Sequence, residues 1–291
     1  MQTRIQNLTD RCVLTIGPRN ELMMHKLLQV LGRQKVRQEA TNPWKRSRLW
    51  CYTDSYEVLR KDRNKKKLFG MVFDQEVFKK KNPDVHEVDK YHLSKMNNLK
   101  LLQLNHVQPN WSYDDFPEEL RWLCMHGFPL ESIPIELPMK NLVALDLSRS
   151  KINVFYKSDS IRQQLNGTTP QLTESDLRDN PSFPSLKILD LSVCEKLSSV
   201  CDFLELPALE RLMLVDCSRL IEICGTIKDC NRIVFIDISY CYSLKDHKRL
   251  CRLRNLAELS LIDLERPTNE EISGMRQGMP ELTINYKEVS G

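Results

Sequence analysis

Leucines recur along the chain in the pattern Leu-x-x-Leu-x-Leu, in which the x positions are mostly polar or small. Consecutive matches are 21–24 residues apart, except for one interval of 44 residues, which is twice the period. Such a unit carries one short strand with too few apolar side chains to form a core, so units must stack and pair their strands into a parallel sheet. The seven matches begin at Leu99, Leu120, Leu142, Leu186, Leu209, Ile233 and Leu256.

A cysteine supports this frame, because it follows the first apolar position by eight residues in three successive units, as Cys194, Cys217 and Cys241. Leucine-rich repeats have a period of about 20–29 residues and place Asn or Cys at this turn. A buried thiol there is small and a weak donor to backbone groups, so we interpret these cysteines as structural. The predicted fold class is α/β, a leucine-rich-repeat solenoid with a parallel sheet and short helices or loops.

The predicted solenoid spans residues 93–265. Residues 158–181 interrupt it with a polar stretch that contains Asn-Gly and Pro, which favours an inserted loop over a degenerate repeat, although the doubled spacing permits either. Residues 266–291 carry Gly, Pro and charge, as a terminal cap or a tail does.

The first 40 residues have a different pattern. Residues 12–24 predict a hairpin around Gly17-Pro18, and residues 26–38 predict a helix with leucines at helical spacing that stops before Pro43. This unit is too small to fold alone. Residues 41–92 are interpreted as a basic linker and the start of the first repeat.

Residues 33–67 are locally basic, with twelve Lys or Arg against four acids, and Trp44 and Trp50 lie among them. Basic and aromatic residues together can hold nucleic acid, which makes nucleic-acid binding a less favoured alternative to a solvated or acid-binding surface. Over the whole chain, 43 Lys and Arg nearly balance 39 Asp and Glu. Bulk charge therefore does not indicate a nucleic-acid or membrane partner.

Motifs for catalysis, cofactors and metals are missing from the sequence. It has 9 glycines and no GxxxxGK[ST] phosphate loop, its 6 histidines are scattered, and its 10 cysteines form no CxxC. We therefore expect no enzymatic activity, no metal site, no cofactor in this chain, and reduced thiols. No apolar run has membrane-spanning length and no signal peptide is visible, so the expected compartment is the cytoplasm, with the nucleus as the alternative.

Two blocks of sequence stand apart from the repeat spacing itself. The earlier block comprises residues 13–17, 20–29, 32–33, 36–39 and 45–50, and the later block is FPEELRWLCMHGFPLESIP at 116–134. Both blocks resemble plant intracellular immune receptors of the TIR–nucleotide-binding–leucine-rich-repeat class, and the later block is similar to the early repeats of that class.

The resemblance implies that residues 1–40 are the end of the winged-helix part of a nucleotide switch, whose bound nucleotide in the intact family is ADP or ATP. The family motif Met-His-Asp corresponds to Met24-His25-Lys26, so the phosphate-contacting histidine carries over as His25, whereas Lys26 replaces the aspartate. His25 could make this contact only with a nucleotide-binding domain. The resemblance implies TIR and nucleotide-binding domains as partners in cis, and this sequence lacks both.

The resemblance also implies a function as a protein-interaction module. It would sense a pathogen effector or a guarded host protein, or hold the nucleotide switch inactive, in defence signalling. The alternative is a standalone leucine-rich-repeat protein that acts as a decoy or adaptor.

Candidate partner-binding residues follow from the solenoid, whose strands line a concave face. Positions 3, 5, 7 and 8 of each unit, counted from its first apolar residue, should point to that face. Aromatic residues and Arg commonly anchor interfaces. Three aspartates share position 5 and form either an acidic track or a solvated consensus feature. The candidates are Trp122, Asp146, Asp190, Arg211, Phe235, Asp237 and Tyr240.

Overall fold

A computed structural model of the chain describes residues 2–17, 22–84, 91–93, 95–110, 116–134, 137, 139–155, 183–201, 206–225, 227, 230–245, 250, 253, 255–264, 268, 273 and 282–285. The predicted insertion at 158–181 lies outside these residues, as does most of the predicted cap. Among the described helices, none is both long and apolar enough to cross a membrane.

The N-terminal unit consists of a helix, a hairpin and a second helix. Helix α1 spans Gln2–Asp10, and strands β1 (Leu14–Ile16) and β2 (Leu22–Met24) pair antiparallel, as the sequence predicted. Helix α2 spans Lys26–Glu39, also as predicted. Its leucine stripe is not buried, however, since Val36 is the buried residue of this helix.

The end of α2 is tied to the first strand of the solenoid through polar contacts. Glu39 accepts hydrogen bonds from the Ser47 amide and hydroxyl, at 2.6 and 2.7 Å. The guanidinium of Arg46 donates to the carbonyls of Ala40 and Thr41, both at 2.8 Å, and pairs with Asp54. These bonds fix the turn around a short 3-10 helix, Pro43–Lys45.

The remaining strands of the described residues are β3 (Arg48–Leu49), β4 (Gly70–Asp74), β5 (Leu101–Asn105), β6 (Trp122–Cys124), β7 (Ala144–Asp146), β8 (Ile188–Asp190), β9 (Ser199–Val200), β10 (Arg211–Met213), β11 (Glu222–Ile223), β12 (Phe235–Asp237), β13 (Glu258–Ser260) and β14 (Thr283–Asn285). Ten of them form one parallel sheet, in the order β3-β4-β5-β6-β7-β8-β10-β12-β13-β14, and β9 pairs with β11 in a separate two-stranded sheet. Helices α3 (Tyr52–Leu59) and α4 (Gln75–Lys81) flank the first strands of the larger sheet.

The sheet begins at Arg48, within the segment predicted to be linker and first-repeat start, and therefore before the predicted solenoid boundary at residue 93. Leu68, Met71 and Phe73 are fully or almost fully buried and repeat the leucine spacing with two substitutions. Met and Phe fill the same core positions as Leu, so a search for leucines alone misses this unit. The sheet therefore starts earlier than the sequence suggested.

The repeat leucines form a continuous core, as predicted. Leu186, Leu189 and Leu191 are fully buried, as are Leu209, Leu212 and Leu214 in the next unit. Leu189 and Leu212 are direct partners across β8 and β10, so the buried rows of successive units stack on each other.

The turns after six strands of the sheet share a left-handed non-glycine residue, and three of these turns also hold a buried thiol. Non-glycine residues with φ between 54° and 64° recur at position 8: His106, Arg149, Val193, Asp216, Tyr240 and Asp263. The following thiols of Cys194, Cys217 and Cys241 are fully buried and donate to carbonyls of the preceding unit, at 3.4, 3.2 and 2.9 Å. These contacts confirm the structural role predicted for the three cysteines.

One pair of cysteines departs from the expectation of reduced thiols. Cys201 and Cys224 form a disulfide between the ends of β9 and β11, with Cα atoms 4.9 Å apart. Parallel pairing of Val200 with Ile223 brings the two side chains within disulfide range. The expectation was wrong for this pair because the pairing of β9 with β11 has no signature in the sequence.

Lys65 was counted in the basic surface of residues 33–67, but it is fully buried. Its Nζ donates to the carbonyl of His92 at 2.6 Å. Burial lowers the pKa of the Lys65 ammonium to about 8, from an ordinary value of 10.5. The folded chain therefore releases this proton at a lower pH than the unfolded chain does.

The Lys65 pKa predicts a rise in stability with pH. Between pH 8 and 10.5 the unfolded chain keeps a proton that the folded chain has lost, so the free energy of unfolding should increase by about 2–3 kcal/mol through this group. Lys65→Met should remove that rise, whereas Lys66→Met, at the exposed neighbour, should keep it. Urea titrations at pH 7 to 10.5 measure this. An unchanged pH slope in Lys65→Met would contradict the prediction.

Candidate protein-interaction surface

The open face of the parallel sheet presents a row of apolar side chains at position 3. Leu101, Trp122, Ala144 and Ile188 are consecutive direct partners across β5, β6, β7 and β8, so their side chains point to the same side. Leu101 is 39% exposed and the other three are partly exposed. We call these four residues the apolar row. It offers a partner a strip of apolar surface with an aromatic anchor.

Arg211 and Phe235 continue position 3 beyond the apolar row. They are direct partners across β10 and β12, and the Arg211 guanidinium lies 3.9 Å from the centre of the Phe235 ring. Phe235 is buried, with Arg211 over its face. Of these two predicted candidates, a partner would therefore meet the half-buried Arg211 first.

The acidic row comprises Asp146, Asp190 and Asp237 at position 5. Asp146 and Asp190 are direct partners across β7 and β8, and Met213 separates Asp190 from Asp237. The structure therefore brings two of the three acids side by side.

Each aspartate of the acidic row also holds its own turn. One carboxylate oxygen accepts the amide N–H two residues later, from Ser148, Ser192 and Ser239, at 3.0, 2.9 and 3.0 Å. The interpretation of these aspartates as simply solvated is wrong for Asp237, which is buried, and incomplete for the partly exposed pair. Asp-x-Ser recurs because the carboxylate satisfies a turn amide that lacks another partner.

The two adjacent aspartates of the acidic row differ in pKa. Burial raises the pKa of the Asp190 carboxyl. Burial opposes ionisation of Asp146 as well, but hydrogen bonds from His126 and Ser148 outweigh it and lower its pKa. The bond to Asp146 raises the pKa of His126 in turn. Asp146 therefore loses its proton at a lower pH than Asp190 does.

A cluster of Cys124, His126 and Asp146 lies where the apolar and acidic rows meet. His126 Nε2 is 2.9 Å from Asp146 Oδ2, and Cys124 Sγ is 3.7 Å from the same oxygen. The three donor atoms lie within 4.8 Å of one another. Sequence reasoning missed this cluster because motif spacings such as CxxC lie within one segment, whereas adjacent repeats supply these residues.

Comparison with curated proteins identifies relatives among plant resistance proteins. Disease resistance protein RPV1 of Vitis rotundifolia is 30% identical over 246 residues, which cover 76% of this chain and 16% of that protein. TMV resistance protein N of Nicotiana glutinosa is 24% identical, covering 82% of this chain and 18% of that protein. This chain is a relative of the plant TIR-type nucleotide-binding leucine-rich-repeat resistance proteins. It spans less than a fifth of the length of these two resistance proteins.

Two further comparisons concern family models and solved structures. No family model matches the chain. Among solved structures, an internalin from Listeria monocytogenes aligns with a TM-score of 0.45 at 11% identity, covering 78% of this chain and 62% of that one. A leucine-rich-repeat protein of Leptospira interrogans aligns with a TM-score of 0.32 at 19% identity, covering 80% and 64%.

Two of the candidate residues predicted in this chain lie away from the apolar row and the acidic row. His25 is the N-cap of α2, where its Nδ1 accepts the Leu27 amide at 3.3 Å, and it is exposed. Tyr240 occupies a left-handed turn position with φ of 64° and is partly exposed. The remaining candidates all lie on paired strands of the sheet.

In the basic segment of this chain, residues 33–67, cationic side chains of the segment lie over its own aromatic rings. Arg63 and Lys61 lie 4.4 and 5.9 Å from the centre of the Trp44 ring, and Arg33 lies 6.0 Å from that of Trp50. Base stacking needs a free aromatic face. Contacts within the segment thus compete with the nucleic-acid alternative.

Proposed function

We propose that this chain is the protein-interaction module of a plant intracellular immune receptor, which binds a pathogen effector or a guarded host protein on the open face of its sheet. The observation that carries the proposal is the apolar row around Trp122, next to the charged carboxylate of Asp146 on the same sheet face. Buried aromatic anchors beside polar groups are typical of energetically important interface centres. The resistance-protein relatives supply the immune context.

The apolar and acidic rows define the chemistry of the partner. An apolar side chain would cover Trp122 and Ile188, and a Lys or Arg would reach Asp146. Such a partner would bind in the cytoplasm or nucleus, where intracellular receptors act. The proposed role requires no catalytic group, and solenoids of this kind typically serve as binding scaffolds.

The test begins with crosslinking of the tagged chain in infected and uninfected leaves, followed by purification of each recovered partner. The affinity of the purified chain, treated with chelator so that Asp146 is free of metal, is then measured for each purified partner. Trp122→Ala should weaken binding at least tenfold, as the loss of an anchor does. Ile221→Ala is the matched control, because Ile221 is exposed but precedes β11, outside the ten-stranded sheet. Equal affinities for wild type and Trp122→Ala across all partners would overturn the proposal.

A second observation favours an additional role in holding the nucleotide switch. Eight of the thirteen exposed large apolar side chains of the described residues precede residue 32: Leu8, Ile16, Leu22, Met23, Met24, Leu27, Val30 and Leu31. Apolar patches of this kind mark surfaces that bind other proteins. The N-terminal unit would pack through them against the nucleotide-binding domain of the receptor, with His25 near its nucleotide.

This additional role is tested by supplying the nucleotide-binding domain of a matching resistance protein in trans. The paired change Leu27→Lys with Leu31→Lys should abolish binding of this chain, measured by calorimetry. The control is Lys35→Glu, a charge change at an exposed position of the same helix. Binding that survives the paired change would refute this role and leave the partner-binding proposal untouched.

A further inference from the structure

We propose that Cys124, His126 and Asp146 form a Zn²⁺ site, in which two adjacent repeats supply the ligands and the fourth position stays open. Cys sulfur, His nitrogen and Asp oxygen are the donor types that Zn²⁺ takes in proteins. The three donor atoms already lie within 4.8 Å of one another, so side-chain rotations are enough to bring them onto one ion.

Two of the three separations between donor atoms are close to those around one small ion, and the third, between Cys124 Sγ and the His126 ring, is within 4.8 Å. Around a tetrahedral Zn²⁺ at ~2.0–2.3 Å from each ligand, neighbouring ligand atoms lie about 3.4–3.6 Å apart. Cys124 Sγ and Asp146 Oδ2 are 3.7 Å apart, which already matches. His126 Nε2 and Asp146 Oδ2 are 2.9 Å apart and would open by about half an ångström, which a side-chain rotation supplies.

The backbone holds the ligands in place. Cys124 and Asp146 are direct partners across β6 and β7, so strand pairing fixes their separation. The amide of His126 donates to Asn105 Oδ1 at 3.2 Å, and Ser148 N–H binds the second oxygen of Asp146. Ligands held by such outer contacts bind a metal with little reorganisation.

The same set of donor atoms favours Zn²⁺ over the hard cations. Mg²⁺ and Ca²⁺ prefer oxygen ligands throughout, whereas a thiolate and an imidazole suit Zn²⁺. Cys124 itself is buried, while the side chains of His126 and Asp146 are 30% and 27% exposed. Water, or a side chain of a bound partner, can therefore reach the fourth position from the open face of the sheet.

The test uses the full chain with Cys201→Ser and Cys224→Ser as its background. These changes remove the other described metal-compatible group, which consists of these two cysteines and Glu222. Zn²⁺ binding is measured by competition with a chromophoric chelator. Co²⁺ serves as the spectroscopic probe, because a thiolate ligand gives a charge-transfer band.

The background chain should bind about one Zn²⁺ and show the Co²⁺ band. Cys124→Ser, His126→Gln and Asp146→Asn should each weaken Zn²⁺ binding at least tenfold, and Cys124→Ser should also remove the band. Cys51→Ser and His92→Gln are matched controls outside the cluster and should bind as the background does. Circular dichroism in chelator confirms folding of each variant, and if Cys124→Ser fails to fold, His126→Gln still tests the site.

Two results would overturn the site. One is a background chain that takes up no Zn²⁺ at micromolar concentrations, which would leave His126 and Asp146 as an ordinary ion pair. The other is Zn²⁺ affinity that is unchanged in folded His126→Gln and Asp146→Asn. Neither result bears on the partner-binding proposal, which is measured in chelator-treated protein with Trp122→Ala.

Discussion

Leu212→Ala is expected to lower the free energy of unfolding by about 2–5 kcal/mol. Leu212 is fully buried and packs between Leu189 and Ile236, its direct partners in the adjacent strands. Removing most of its side chain loses apolar burial and leaves a cavity that two paired strands cannot close. Urea unfolding followed by circular dichroism measures the change.

The matched control is Leu101→Ala, the same substitution at position 3. Leu101 is 39% exposed, so it should cost well under half as much as Leu212→Ala. Equal losses at the two positions would mean that the assignment of buried and exposed positions within the repeat is wrong. Unfolding of a repeat array need not be two-state, so both variants are compared at the midpoint of the same transition.

Gly127→Ala is expected to destabilise the chain by about 1–3 kcal/mol. Gly127 has φ of +68°, a region that disfavours a residue with a Cβ. An added Cβ would also lie 2.6 Å from Cδ2 of His106, so the imidazole ring would have to move. His106 Nδ1 lies 3.4 Å from Asp74 Oδ2, so moving the ring also disturbs that contact.

Gly225→Ala is the control for Gly127→Ala. An added Cβ at Gly225 meets nothing within 4 Å, and its φ is not in the left-handed region. It should therefore unfold at nearly the wild-type midpoint in the same thermal scan. A Gly127→Ala midpoint equal to that of Gly225→Ala would show that the turn accommodates the methyl group.

The sequence predicted the solenoid because its core obeys a strict spacing. Each strand has only a few inward positions, and the leucine pattern marks them. Leu189 and Leu212 occupy such positions, so they are buried and are direct partners in adjacent strands. The hairpin and α2 were also predicted, from turn residues and helical spacing. Local chemistry was sufficient for these elements.

Features that depend on contacts between repeats could not be predicted in this way. The Cys201–Cys224 disulfide and the Cys124–His126–Asp146 cluster each join residues about one repeat apart. Lys65 lies in a run of charged residues, which predicts an exposed side chain. In the structure it is buried and donates a hydrogen bond to the carbonyl of His92. No spacing rule links such partners, because the path of the intervening chain decides whether they meet.

The sequence predicted which residues of the candidate surface share a row, but it did not predict their burial or their hydrogen bonds. Asp146 and Asp190 share a row as expected, but the structure assigns their carboxylates a second task as acceptors for turn amides. The concave-face candidates therefore stay predictions for partner binding. Phe235 and Asp237 are buried, so the experiments above concentrate on Trp122.

The direct pairing of β7 with β8 has a consequence for engineering. Ala144 and Ile188 are neighbours in the sheet although 44 positions separate them in the chain. Adjacent strands are about 4.8 Å apart whatever segment joins them. A longer joining segment therefore has to span no greater distance. The entropy of loop closure grows only slowly with loop length, by about 0.6 kcal/mol for each doubling. An epitope or a fluorescent reporter inserted between Phe155 and Phe183 should therefore leave the described strand pairings in register, which makes this interval a suitable site for labelling the protein.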